Sequence, residues 1–125
     1  MLSGNRLWRS FRYACRGLWR VIGEEQNFAL ELAIAVGVVL LAALSRFRAV
    51  EWAVLILTIS LVLLMEVFNS AVERAADLLK PRLDIYVKEI KDIMAGAVLL
   101  VAATAVVVGV FLFGPRVIKL FTTII

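Results

Sequence analysis

Glu66, Asn69, Glu73 and Asp77 are spaced three, four and four residues apart, directly after the apolar run from Trp52 to Met65. At 100° per residue all four share one narrow helical face, and that face starts inside a segment suited to a bilayer. A carboxylate in lipid costs at least about 2.5 kcal/mol, so Glu66 marks a candidate functional site. Glu66 and Glu73 are seven residues apart, which is a rise of roughly 10.5 Å, too far to ligate one small ion together readily. The spacing therefore predicts divided roles. Glu73 suits Mg2+, which takes one or two carboxylates and completes its shell with water and substrate phosphates. Glu66, deeper and drier, suits a general base that takes a proton from an alcohol at the membrane surface. Asn69 lies between them and can orient either. Lys91 supplies a cation for phosphate, and Asp92 an acceptor for a nucleotide amino group or a ribose hydroxyl.

Each residue also has a plainer reading. A Glu in a span can be a packing hydrogen bond, an Asn there is often interhelical glue, and Lys-Asp at a helix start is commonly a solvated pair. Their coincidence on one face and at one depth favours a site.

The elements that must position them are membrane helices. The chain has 125 residues, 63% of them hydrophobic, with a mean hydropathy of +0.97, which leaves room for one domain and excludes an ordinary soluble class. Three apolar stretches, about Asn27 to Leu44, Glu51 to Met65 with its polar continuation, and Ile93 to Phe113, meet or nearly meet the roughly 20 residues of a span. The expected architecture is an all-α integral membrane fold in a single domain over 1–125. An interfacial helix covers 5–22, and helices cover 27–45, 51–79 and 88–113. From Arg6 to Ile22 the aromatic and aliphatic side chains fall on one side and five arginines with Tyr13 on the other, the pattern of a helix lying on a leaflet. The first span follows a charged run with no small-residue cleavage site after it, so it reads as retained and the mature chain as the whole chain.

The second helix is expected to outrun the bilayer before Pro81 ends it, carrying Glu73 into the cytoplasm. Trp52 fits an aromatic belt at the opposite surface, and the turn at Arg46 and Arg48 is assigned no chemistry. Small residues in the third span (Ala95, Gly96, Ala97, Ala102, Ala105, Gly109) predict close helix packing and self-association. Ten of the fourteen basic residues fall on the side of the N-terminus and the second connection, which places the N-terminus in the cytoplasm. The net charge of +4 suits anionic lipid, whereas the basic residues form no separate patch for nucleic acid. Glu24 and Glu25 stand at the cytoplasmic boundary, where pairing with the dipole of the following helix would alone account for them.

Several chemistries are excluded. One cysteine, Cys15, and no histidine leave no disulfide framework, zinc site or Ser-His or Cys-His pair within a chain. The seven glycines form neither a GxxxxGK[ST] loop nor a GxGxxG turn, so any nucleotide must be held by helices. Three thin helices cannot enclose a nucleotide and a lipid alone, so an oligomer with shared sites is expected.

At these residues the chain resembles the prokaryotic diacylglycerol kinase and undecaprenol kinase family. The resemblance rests on E-V-F-N-S-A-V-E-R-A-A-D from Glu66 to Asp77 and K-D-I-M-A-G-A-V-L-L from Lys91 to Leu100. R-Y-A-C-R-G-L-W from Arg12 and E-Q-N-F from Glu25 extend it over nearly the whole chain. It implies a homotrimeric membrane kinase of the bacterial inner membrane that moves the γ-phosphate of MgATP onto a lipid hydroxyl. By position, Glu66 resembles the catalytic base, Asn69 the catalytic-face asparagine, and Glu25 with Glu73 the metal and ATP-phosphate ligands, Glu24 being the rival for Glu25. Lys91 and Asp92 resemble nucleotide contacts, and Arg6 and Tyr13 ATP-side positions on the surface helix. The chain departs from some members at Arg82-Leu83-Asp84, where they carry Glu-x-His for adenine. It also has Ala95, a substrate-side position where diacylglycerol-phosphorylating members tend to carry Ser. With Gly114-Pro115 near the end, this tilts the implied acceptor toward undecaprenol, diacylglycerol close behind. The competing class is a non-enzymatic membrane protein, such as a transporter subunit whose Glu66 binds protons or cations. A purely structural oligomer would leave the Glu face unexplained.

Overall fold

In the computed structural model, which describes residues 4–80, 82 and 84–124, the chain is all-helical. Four helices follow in order: α1 (Gly4–Glu24), α2 (Gln26–Leu44), α3 (Ala49–Asp77) and α4 (Asp84–Ile124). The last three are long and apolar enough to cross a membrane. At 1.5 Å per residue α2 is about 28 Å long, close to the roughly 30 Å of hydrocarbon, and α3 is about 43 Å, so its polar end projects beyond the span. Pro81 and Leu83, and with them the expected stop at Pro81, lie outside the described residues. Before them α3 has already tightened into turns, with Leu79 N–H bonded to Ala76 O at 3.0 Å and Lys80 N–H to Asp77 O at 3.3 Å.

Helix α4 begins four residues before the expected position 88 and continues past 113 to Ile124. Pro115 lies inside it. A proline removes the backbone donor that would meet the carbonyl four residues earlier, at Phe111, while the Arg116 guanidinium donates one residue further on, to Leu112 O at 2.7 Å. The apolar run resumes with Val117 and Ile118, so nothing after the proline stops the helix.

One residue, Glu25, separates α1 from α2. It is extended (φ −105°, ψ 108°) while its N–H still bonds Val21 O at 2.9 Å and its C=O accepts from Ala29 N–H at 3.2 Å. The helical ladder is thus broken at a single position, which fixes where the Glu25 side chain departs.

The end of the bundle remote from α1 is pinned by a small core of Ala42, Phe47, Leu55 and Leu112. Phe47 meets Phe113 at 5.0 Å and Trp52 edge-on at 5.9 Å between ring centroids. Arg116 lies over the Phe47 ring at 4.3 Å and donates to Ser45 O at 3.0 Å and to both oxygens of Glu51 at 2.8 and 2.9 Å. Glu51 also accepts from Arg48 N–H at 2.8 Å, closing the first turn of α3. The turn expected to carry no chemistry is therefore the clamp that joins α2, α3 and α4. Among the described residues a Cβ on Gly96 or Gly109 would meet nothing within 4 Å, so neither glycine is a point of close helix approach within one chain.

Candidate active site

Helix α3 packs most extensively on α4, then on α2, and its C-terminal part is approached by α1 as well. Those neighbours select which part of its polar face is buried. Glu66 is 4% exposed and Ser70 2%, Asn69 is half-buried, and Glu73 and Asp77 are exposed. The Asn27 amide from α2 stands beside Glu66, with Glu25 and Glu73 within electrostatic range. A buried carboxylate with like charges nearby is held against its electrostatic preference, which a packing role does not require.

Glu25 is turned toward α3. Ser70 Oγ donates to its Oε1 at 2.9 Å, and Arg74 Nη2 donates to the same oxygen at 3.1 Å. The Ser70 hydroxyl first, and Arg74 second, hold the Glu25 carboxyl below the usual carboxylate range. Arg74 Nη2 also reaches Glu24 Oε2 at 2.9 Å, and Arg20 stands 3.7 Å from Glu24 Oε1. Glu25 occupies the cap position of α2 but makes no side-chain cap bond. Its carboxylate is spent across helices rather than on the dipole of its own, which sets aside the plainer account of that residue.

A second node joins α3 to α4. Lys91 Nζ donates to Asp77 Oδ1 at 2.8 Å and to Glu73 Oε1 at 3.4 Å, and Lys80 stands 3.4 Å from Asp77. Asp77, which its solvent depth would make an ordinary exposed acid, is thus the nearer partner of Lys91. The reason is rotational: α4 presents Lys91 to the edge of α3 on which both acids lie, four residues apart.

Other expected positions stand apart from these nodes. Asp92 and Ala95 are exposed on α4, and Arg82 is exposed between the helices. Arg6 and Tyr13 share a shallow hollow on α1 with Arg9 and Ser10. Along α1 Tyr13 precedes Glu25 by about 18 Å and Arg6 by about 28 Å.

Glu31 is a residue the sequence reading missed. It lies in α2, two turns beyond Glu25, and its Oε2 is buried with no hydrogen-bond partner among the described residues. It heads an apolar groove of about 440 Å³ between α2, α3 and α4, walled by aliphatic side chains such as Val38, Leu63 and Ala105 and reaching Phe113. The signal was present: a lone carboxylate in the Asn27 to Leu44 run is the same anomaly that singled out Glu66.

Among the described residues no three His, Cys, Asp or Glu side chains form a closed metal cage. Mg2+ does not ask for one, because it binds through one or two carboxylates together with phosphates and water. Glu25 fits that role: both of its protein partners use Oε1, leaving Oε2 free. Glu73 fits as well, being held only by a 3.4 Å contact.

The family model for prokaryotic diacylglycerol kinase matches residues 12–113. The chain is 32% identical over 112 residues to an undecaprenol kinase of Bacillus subtilis, covering 90% of this chain and 91% of that protein. It is 38% identical over 112 residues to a diacylglycerol kinase of Synechocystis, covering 89% of this chain and 64% of that longer protein. With its three apolar helices, its acidic face on α3 and a match over most of its length, the chain belongs to the prokaryotic diacylglycerol kinase family.

Proposed function

We propose that this chain transfers the γ-phosphate of MgATP to the hydroxyl of a membrane lipid, undecaprenol being the favoured acceptor and diacylglycerol nearly as suitable. Lipid kinase activity follows from membership of the family. The observation that carries the residue assignment is Glu66, 4% exposed at the point where α2 and α3 meet and flanked by Glu25 and Glu73.

In this reading Glu66 accepts the hydroxyl proton as the lipid oxygen attacks the γ-phosphorus, the bond to the β,γ-bridging oxygen breaks, and ADP leaves. Asn69, on the same face, orients the hydroxyl. Glu25 through Oε2 and Glu73 would hold magnesium, which neutralises charge on the transferring phosphoryl group when bound. Lys91, between Glu73 and Asp77, adds positive charge on the phosphate side, and Asp92, Arg6 and Tyr13 serve the nucleoside end. Glu25 rather than Glu24 is favoured as ligand because each oxygen of Glu24 faces an arginine, whereas Ser70 and Arg74 both meet Glu25 at Oε1. Glu31 faces the acceptor, with the aliphatic groove beneath it suited to a hydrocarbon chain, and Ala95 belongs to the acceptor side.

A homotrimer with shared sites is the assembly proposed. Arg6 and Glu25 of one chain are separated by about 28 Å of α1, farther than one nucleotide extends, so an Arg6 that serves ATP would serve it in a neighbour's site. The whole chain is read as one membrane domain in the bacterial inner membrane, α1 on the cytoplasmic leaflet and the N-terminus and site on the cytoplasmic side. That sidedness is supported by the distribution of basic residues. Undecaprenol is favoured because the undecaprenol kinase relative is matched over 91% of its length and because position 95 is alanine. A proton- or cation-coupled subunit using Glu66 would have no need of the Glu25 and Lys91 nodes.

The test is phosphorylation by the purified protein in lipid nanodiscs with MgATP and, separately, undecaprenol and diacylglycerol. Lipid phosphate from either supports the kinase reading, with a higher kcat/KM for undecaprenol expected. No lipid phosphate from either acceptor refutes it.

A further inference from the structure

Arg74 on α3 sits where three helices meet. Its Nη2 lies 2.9 Å from Glu24 Oε2, at the end of α1, and 3.1 Å from Glu25 Oε1, at the break before α2. The guanidinium therefore spans the one non-helical residue between those helices. Glu25 is the residue whose backbone leaves its side chain least constrained by a helix, and it is extended there. Two donors on one face of α3, four residues apart, fix it: Ser70 from a buried site and Arg74 from the solvent side. Both take Oε1, so the carboxylate is set with Oε2 alone available.

We propose that Arg74 is a positioning residue of the kinase site, holding Glu25 as a one-oxygen ligand for the divalent cation that accompanies ATP. This rests on the reading of Glu25 as a metal ligand. Glu24 is the counter-anchor. By taking the same guanidinium from α1 it balances the charge of Arg74, so that Glu25 is oriented without being fully neutralised. Arg20 in turn steadies Glu24. Groups that orient a ligating carboxylate typically change metal affinity or activity by 10- to 100-fold when removed.

Positioning and charge make opposite predictions here. Arg74 is a cation beside a proposed cation site, so if charge alone mattered its removal would tighten metal binding. If it positions Glu25, removal weakens binding although a repelling charge is lost. A simple tie between α1 and α3 would change thermal stability and leave metal affinity alone.

The experiment is Mn2+ titration by electron paramagnetic resonance of the full chain in nanodiscs with a non-hydrolysable ATP analogue, for wild type, Arg74→Met, Arg74→Lys and Glu25→Gln, with melting curves for each. The expected result is a loss of Mn2+ affinity of about tenfold or more in Arg74→Met. Arg74→Lys keeps a cationic donor but on a stem shorter than the one that carries Nη2 to both carboxylates, so it should fall between Arg74→Met and wild type. KM for the lipid acceptor should stay within about threefold of wild type in both Arg74 variants. Unchanged or tighter Mn2+ binding in Arg74→Met, with Glu25→Gln weakened, overturns the positioning role and leaves Glu25 as a ligand. Unchanged binding in Glu25→Gln overturns both. If Arg74→Met does not fold, an Arg74→Lys affinity equal to wild type overturns the proposal by itself.

Discussion

Replacing Glu66 by Gln separates catalysis from structure at this site. The side chain is 4% exposed, and Gln keeps its volume, so no cavity forms. What disappears is one negative charge within electrostatic range of Glu25 and Glu73, and near the half-buried Glu31. Relieving that repulsion predicts a melting temperature equal to or above wild type. The rate should move the other way. A positioned general base contributes about 10²–10⁴-fold, or roughly 2.7–5.4 kcal/mol of barrier, and an amide cannot take the proton. Affinity for MgATP should change by no more than about threefold, because Glu73 and Lys91 keep their contact two turns beyond Glu66 and Glu25 keeps its hold on Ser70 and Arg74. The assay is transfer of labelled γ-phosphate from ATP to lipid in nanodiscs, with nucleotide binding and a melting curve on the same preparation. A kcat within tenfold of wild type would refute the role of Glu66 as base. A fall in melting temperature of more than about 5 °C alongside lost activity would show that Glu66 is a structural group.

If ligands from different chains meet in one site, mixing inactive Glu25→Gln with inactive Glu73→Gln subunits restores part of the activity, and failure to complement over a range of mixing ratios refutes sharing. Glu31→Gln should raise KM for the lipid acceptor or lower kcat by about tenfold or more, with KM for MgATP unchanged, because Glu31 lines the aliphatic groove. A rise in KM for MgATP instead would place Glu31 on the nucleotide side. Arg116→Met leaves Glu51 without its main partner at the far end of the bundle, so the melting temperature should fall while kcat at low temperature stays close to wild type. A kcat loss without a change in melting would argue that this clamp acts on the site directly.

Much of this organisation is local and was readable along the chain. Apolar length decides what can span a bilayer, which is why α2 starts and ends within one residue of expectation. The helical period alone puts Glu66, Asn69 and Glu73 on one face, and no neighbour is needed to say so. Where local rules conflicted, the sequence misled. The helix expected over 88–113 runs on to Ile124 with Pro115 inside it, because the apolar run resumes at Val117 and one lost backbone donor does not end a long helix.

What only the tertiary structure decided are the partners brought together from distant segments. The depth and rotation of α2 against α3 set Glu25 on Ser70 and Arg74, and those of α4 set Lys91 on Asp77 in preference to Glu73. The same rotations leave one oxygen of Glu31 buried and without a partner among the described residues. Periodicity gives the angle of a side chain about its own helix but not the angle of that helix about its neighbours. The acidic face therefore followed from sequence spacing, while the hold on its carboxylates had to come from packing.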